Sequence, residues 1–266
     1  MTYLDGGFGT MIQSAGLPAG RDPSDWCVEH PEAVTAIHRA YVEAGSEIVL
    51  ANTFGLNRLK YHGAYTLEEL LPAALKCARA SGAGRVALDI GPLGRLMRDI
   101  SFDDAFETFA ETIRLASTTT TFDLVYIETM SDLYEVKAAA LAAKENCDKP
   151  IYVTVTLGEN GRLLSGADID TIATVLESLG VEAYGFNCGL GPENMLPYVK
   201  RLQEISTRPI IVKPNAGMPK LVDGKTVFEV GPEAFAASMR KLVEAGATIL
   251  GGCCGTTPEH IRRIAQ

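Results

Sequence analysis

Several features common in binding and targeting proteins are missing from this chain. It has no run of 18 apolar residues, so no segment reads as a bilayer-spanning helix. It has no basic stripe or Lys/Arg cluster. Its 24 Lys and Arg are outnumbered by 33 Asp and Glu, for a net charge of −9. That balance argues against nucleic acid and anionic membranes as partners. The start, Met1-Thr-Tyr-Leu-Asp-Gly-Gly, lacks the basic residues and apolar stretch of a secretory signal, and a cytoplasmic location is expected. No low-complexity tract or Pro/Ser-rich linker interrupts the sequence, which is therefore expected to form a single domain over residues 1–266. The four histidines, His30, His38, His62 and His260, share no location and read as surface or capping residues.

Hydrophobic residues make up 47% of the 266, enough for one large core. Short β-type runs alternate with helix-length amphipathic segments. Strands are expected at 3–5, 47–52, 85–90, 124–128, 151–156, 183–187, 209–213 and 248–251. Many are rich in Val, Ile and Leu without clean alternation, as strands covered on both faces are. Helices are expected at 31–44, 67–80, 102–117, 131–146, 167–179, 192–205, 232–245 and 258–265. Four of them open on proline and three stop at a glycine that leads into a strand. Eight such β/α units predict an α/β fold, a single (β/α)8 TIM barrel. The competing doubly wound sheet usually carries G-x-G-x-x-G and a helix after its first strand. Here the first turn is Asp5-Gly-Gly-Phe-Gly-Thr10, and no helix is expected directly after it. The last helix is short, so closure is expected to involve a partner surface or a truncated edge.

Reactive groups of a barrel gather at the C-terminal ends of its strands. Those ends here carry Asp5, Asn52-Thr53, Asp89, Glu128-Thr129, Thr156, Asn187-Cys188, Lys213 to Asn215 and Cys253-Cys254. The adjacent pair Cys253-Cys254 is flanked by Gly251, Gly252 and Gly255. Neighbours on a regular strand point to opposite faces, so two sulfurs aimed at one point need the bend that these glycines allow. With Cys188 they would form a three-thiolate site with an open fourth position, a catalytic arrangement for zinc. An inert packing of thiols and a redox disulfide are the other readings, the latter disfavoured by vicinal strain and a reducing cytosol. Cys27 (on a loop), Cys77 and Cys147 read as buried or incidental thiols. Zinc ligated by three thiolates keeps a fourth thiolate nucleophilic, which points to alkylation of a substrate thiol. Lys213 reads as a lysine reaching over apolar surface, and the alternative, a Schiff-base nucleophile, leaves the three thiols unexplained.

The segments Asp5-Gly-Gly-Phe-Gly-Thr10, Asn52-Thr-Phe54, Ile127-Glu-Thr129, Gly185-Phe-Asn-Cys-Gly189, Val212-Lys-Pro-Asn-Ala-Gly217 and Gly251-Gly-Cys-Cys-Gly255 run in this order along the chain. Together they resemble the homocysteine S-methyltransferase family. The similarity is greatest to the homocysteine-binding module of cobalamin-dependent methionine synthase, through residues 189–194, 213–217 and 251–258. The resemblance implies that Cys188, Cys253 and Cys254 ligate zinc and that L-homocysteine supplies the fourth sulfur. It implies that Glu128, helped by Asp5, meets the substrate ammonium, and that backbone N–H groups around Gly6, Gly7 and Phe8 meet its carboxylate. Asn52 and Thr53 would line the pocket, and Asn215 would approach the metal when substrate is absent. The implied reaction is methyl transfer giving methionine, from a methylcorrinoid carried by a separate protein. S-methylmethionine, S-adenosylmethionine or betaine are alternative donors, and another small thiol an alternative acceptor. A quaternary ammonium donor would favour an aromatic cage, for which Trp26, Phe8, Phe54 and Tyr61 are the candidates. A zinc-holding barrel without catalysis is a further alternative.

Overall fold

A computed structural model describes residues 1–118, 122–222 and 225–266. In chain order it contains β1 Thr2–Tyr3, α1 Phe8–Ser14, α2 Trp26–Glu29, α3 Pro31–Ala44, β2 Ile48–Leu50, α4 Leu67–Ala80, β3 Arg85–Ile90 and α5 Phe102–Ser117. There follow β4 Leu124–Met130, α6 Leu133–Asn146, β5 Ile151–Val155, α7 Ile169–Ser178, β6 Ala183–Asn187, α8 Pro192–Ile205, β7 Ile210–Lys213, β8 Lys220–Val222, β9 Lys225–Val227, α9 Pro232–Glu244, β10 Ala247–Leu250 and α10 Pro258–Ala265. Eight strands form one parallel sheet in the order β1-β10-β7-β6-β5-β4-β3-β2. A parallel bridge between Leu4 and Ile48 joins the two edges and nearly closes the barrel.

Local signals account for the helix ends. Ser101 accepts a hydrogen bond from the Asp104 N–H at the start of α5, and Asp132 does the same for Tyr134 and Glu135 at the start of α6. Each satisfies donors that the first helical turn leaves free. Thr66 and Glu69 form a reciprocal capping box on α4. Gly45 closes α3 at φ 114°, a conformation costly for any residue with a Cβ.

The strands divide their side chains between two cores. Leu4, Ile48, Leu50, Ala87, Leu124, Tyr126, Ala183, Ile211 and Ile249 pack together inside the barrel. Alternate residues such as Val49, Leu88, Val125, Ile127, Val153, Phe186 and Val212 pack outward among the helices. This two-sided burial is why the strands lack a polar face. The same period of two fixes what stands above the inner core. Asp89 lies two residues beyond Ala87, Glu128 two beyond Tyr126, and Lys213 two beyond Ile211. The upper floor of the barrel is therefore charged.

Several expectations need correction. A helix, α1, does follow the first turn directly; it buries only Ile12, so its apolar stripe is short. The edges meet through Leu4 and Ile48, and α10 packs on α3 and α9, so neither a partner surface nor a truncated edge accounts for closure. Cys27 lies in α2 rather than on a loop. The antiparallel pair β8–β9 was not anticipated, since three-residue strands give too little pattern to read. His38 is fully buried in α3, stacked on Phe8 at 4.7 Å between ring centres, and is neither a surface nor a capping residue. His260 does cap, accepting from the Thr257 N–H at the start of α10.

Candidate metal and substrate site

Three chain segments bring the cysteines together. Cys188 follows β6 with φ 55°, and Gly189 continues the turn at φ 62°. A left-handed cysteine is sparsely populated backbone of the kind found where surrounding structure dictates a side chain's aim. The Cys188 N–H donates to the Lys213 carbonyl at 3.1 Å. The Cys253 N–H donates to the Pro214 carbonyl at 2.9 Å, the Cys254 carbonyl accepts from the Ala216 N–H at 3.0 Å, and the Gly252 N–H donates to the Asp5 carbonyl at 3.0 Å. The loop after β10 is thus tied to the exits of β7 and β1.

The three sulfurs all lie within 4.8 Å of one another, and those of Cys188 and Cys254 are 4.0 Å apart. Tetrahedral ligation at a metal–sulfur distance of about 2.3 Å places sulfurs roughly 3.8 Å apart, so the spacing fits such an ion with little adjustment. Hydrogen bonds from Cys253 and Cys254 pull the Cys188 thiol down to about 3 despite its burial. The donated bonds push Cys253 well up and Cys254 to about 11. In the metal-free triad one negative charge is centred on Cys188, and a cation would draw off the other two protons. Asn215 contributes a side-chain hydrogen bond that favours the Cys188 thiolate, while its own Oδ1 is buried without a partner. Among the described residues this is the one group of three or more His, Cys, Asp or Glu close enough to share an ion.

Beside the sulfurs sits a buried ionic cluster. Lys213 is 2% exposed, with its Nζ 2.8 Å from Glu128 Oε2, 3.9 Å from Asp5 Oδ1 and 5.0 Å above the Tyr126 ring. Burial favours its neutral form, but Glu128, Tyr126 and Asp5 outweigh that and hold its affinity for the proton well above the ordinary lysine value. Lys213 is therefore an interior cation, not a lysine spread over apolar surface. Asp5 accepts from the Leu50 N–H at 2.8 Å through Oδ2, and burial raises its carboxyl to about 7, with Lys213 opposing. Asn187 bridges the two groups. Its amide nitrogen lies 2.8 Å from Thr129 Oγ1, 3.5 Å from Glu128 Oε2 and 3.9 Å from Cys253 Sγ.

Sulfurs and charges border one cavity of about 500 Å³ at the C-terminal mouth of the barrel. Asp5, Gly6, Gly7, Phe8, Asn52, Glu128, Cys188, Cys253 and Cys254 all line it. Thr53 and Asn215 lie outside its wall. The Thr53 hydroxyl donates to the Asp89 carbonyl at 2.8 Å and accepts from the Asp89 N–H at 3.0 Å, fixing β2 to β3. Asn52 donates to the Pro23 carbonyl at 2.8 Å and so anchors the loop that covers the cavity. The Gly7 N–H is already shared by the carbonyl and hydroxyl of Thr256, and the Phe8 N–H by the Gly6 carbonyl. Of these three amides only that of Gly6 lacks a partner among the described residues. Lining residues without a sequence signal include Asp22, Lys60 and Phe228, which come from loops. Phe8 and Phe54 line the cavity while Trp26 and Tyr61 do not, and Lys60 already covers the Phe54 ring at 4.4 Å. A second hollow, of about 520 Å³, shares Asp22 and Pro23 but contains no thiol.

Comparison with known proteins adds an independent line. A family model described as homocysteine S-methyltransferase matches residues 2–266. The methionine synthases of Mycobacterium tuberculosis and Mycobacterium leprae are 32% and 31% identical over 287 aligned residues, covering 98% of this chain and 24% of each relative. The chain thus spans about a quarter of the length of these curated relatives. The homocysteine methyltransferase MmuM from Escherichia coli superposes with a TM-score of 0.86 in its oxidized form and 0.84 in its metallated form. Each is 20% identical, covering 99% and 100% of this chain and 94% and 95% of the other, a likeness in fold.

Proposed function

The chain belongs to the homocysteine S-methyltransferase family, and from that premise we propose that it transfers a methyl group to the thiol of L-homocysteine, giving methionine. The observation that carries this reading is the convergence of Cys188, Cys253 and Cys254 on one point at the wall of a cavity that also contains Asp5 and Glu128. Cys188, Cys253 and Cys254 would hold zinc. When bound there, zinc supplies the charge that ionises a thiol at neutral pH and keeps it nucleophilic.

The residues of the chain do the rest. Glu128 and Asp5 attract the substrate ammonium, and Lys213 offsets part of their mutual repulsion. The Gly6 N–H is the open backbone donor for the carboxylate. Asn187 holds Glu128 and Cys253 in fixed relation, so that the amine end and the sulfur end of one small molecule are positioned together. Asn215 sits behind Cys188 and steadies its sulfur. Reduced thiols of this kind suit a cytoplasmic setting.

For the methyl donor we propose a methylcorrinoid brought by a separate protein. The similarity of residues 189–194, 213–217 and 251–258 to the cobalamin-dependent branch supports this. Trp26 and Tyr61 lie outside the cavity and Lys60 already covers the Phe54 ring, which leaves Phe8 and Phe228 and speaks against a quaternary ammonium donor. The test uses zinc-loaded protein, L-homocysteine and free methylcobalamin, following methionine and cobalt demethylation. Zinc-dependent turnover that disappears in Cys254→Ala supports the proposal. Turnover with S-methylmethionine, S-adenosylmethionine or betaine, and none with methylcobalamin, replaces the donor. Zinc binding without turnover of any donor replaces the function with that of a zinc-holding barrel.

A further inference from the structure

One buried acid in the cavity has no task in the scheme above. Asp89 ends β3, lines the cavity and is 6% exposed. Its Oδ1 has no hydrogen-bond partner. Its backbone is fixed by both bonds to Thr53, so the side chain is not needed to hold the strand. A carboxyl group left unpaired at such a position is costly, and the fold draws nothing from it. Neither nearby cation is bonded to it: Lys213 lies against Glu128 at 2.8 Å and near Asp5 at 3.9 Å, and Lys60 sits over the Phe54 ring at 4.4 Å. Asp89 is driven toward its protonated form by burial first and by the charge of Glu128 second, with Lys213 and, less, Lys60 opposing only in part. The position behaves as one that awaits a cation.

We propose that Asp89 is the third carboxyl group of an amine subsite, accepting the α-ammonium of the thiol substrate and selecting amino-thiols over thiols that lack the amine. The inference rests on the homocysteine reading of the site. A primary ammonium has three N–H donors. Two carboxyl oxygens in this cavity are buried without a hydrogen bond, Asp5 Oδ1, which has only the Lys213 ammonium at 3.9 Å, and Asp89 Oδ1. Glu128 spends Oε2 on Lys213 and Asn187, leaving Oε1 for a third contact. Three donors then meet three acceptors from β1, β3 and β4, which an ammonium already present in the protein, that of Lys213, does not satisfy.

The experiment measures binding of L-homocysteine and of 4-mercaptobutyrate, the same thiol without its amine, to zinc-loaded wild type and Asp89→Asn by calorimetry, with zinc content and Tm recorded for both. The substitution keeps the shape and leaves the Thr53 bonds intact. The expected result is a loss of about tenfold or more in L-homocysteine affinity, with 4-mercaptobutyrate, zinc content and Tm unchanged. An equal loss for both thiols, or none for either, overturns the role of Asp89. If Asp89→Asn lowers Tm or zinc content, the ratio of the two affinities still decides, because a general disturbance weakens both thiols alike. Wild-type protein that binds neither thiol overturns the homocysteine reading itself.

Discussion

His38 gives the sharpest link between burial and a measurable property. Its ring is fully buried, both ring nitrogens lack partners, and Phe8 covers one face. With no counter-charge, burial lowers its pKa from 6.5 to about 3. The folded protein therefore holds His38 neutral wherever it is stable. The unfolded chain binds a proton there below about pH 6.5, so the unfolded state carries more protons and stability falls as pH drops. At pH 5 the unfolded group lies about 1.5 units below its pKa, worth roughly 2 kcal/mol at about 1.4 kcal/mol per unit. This figure does not depend on the exact folded value, provided that it stays well under 5. Asp5 and Asp89 act in the opposite sense, because their raised pKa values favour the fold at lower pH. The wild-type profile is a sum, and only a difference isolates His38. Urea unfolding of wild type and His38→Leu at pH 8 and pH 5 provides it. At pH 8 the variant should be equal or better, since two unsatisfied buried nitrogens are removed at about 1–3 kcal/mol each against a lost ring contact. Between pH 8 and pH 5 the wild type should lose about 2 kcal/mol more than the variant. Equal losses would show that His38 finds a hydrogen-bonded or charged partner that stabilises its imidazolium.

Four further outcomes follow from the same geometry. Glu128→Gln strips the nearest partner from a buried ammonium and should cost about 3 kcal/mol, with Lys213→Met in the same chain recovering much of it; unfolding energies of the double variant equal to the sum of the singles would contradict a coupled pair. Gly251→Ala would bring a Cβ within 2.8 Å of Leu4 Cβ and 3.0 Å of Lys213 Cγ, and should destabilise by about 1–3 kcal/mol in a thermal melt. Thr53→Val removes both bonds to the Asp89 backbone and should cost about 1–3 kcal/mol with little change in zinc content; a large loss of metal would place Thr53 in the site after all. Asp132→Ala, which uncaps α6, should cost about 1 kcal/mol and leave thiol binding untouched.

The parts of this molecule that the sequence displays are those with a local cause. Helices such as α3, α5 and α8 have bounds set by proline, serine and glycine, and these are visible before any packing is known. Strands buried on two faces announce themselves as β-branched runs, and the cysteine pair announces its bend by its glycines. What stayed hidden depends on distant partners. Lys213 reads as an ordinary lysine until β4 and β1 supply Glu128 and Asp5 around it. Thr53 reads as a pocket residue until β3 uses its hydroxyl. The amide of Gly7 reads as an open donor because its partner Thr256 is 249 positions away. α1 escaped notice because its seven residues bury a single isoleucine.

The long reach of that Gly7–Thr256 clasp sets an order of events during synthesis. The first turn of the barrel is made before the strands that follow it, yet its amide waits for a residue 249 positions later. Cys188 likewise precedes Cys254 by 66 positions. Neither the substrate cavity nor the thiol triad exists in any partial chain that stops short of β10. A nascent chain therefore passes through a long interval with Cys188 made and its two companions still to come. During that interval β1 and β7 lack β10, the strand that pairs with both, a state open to misassembly until the final unit docks. Any metal held by the triad would consequently be captured late, and could act as a latch that reports completion of the barrel.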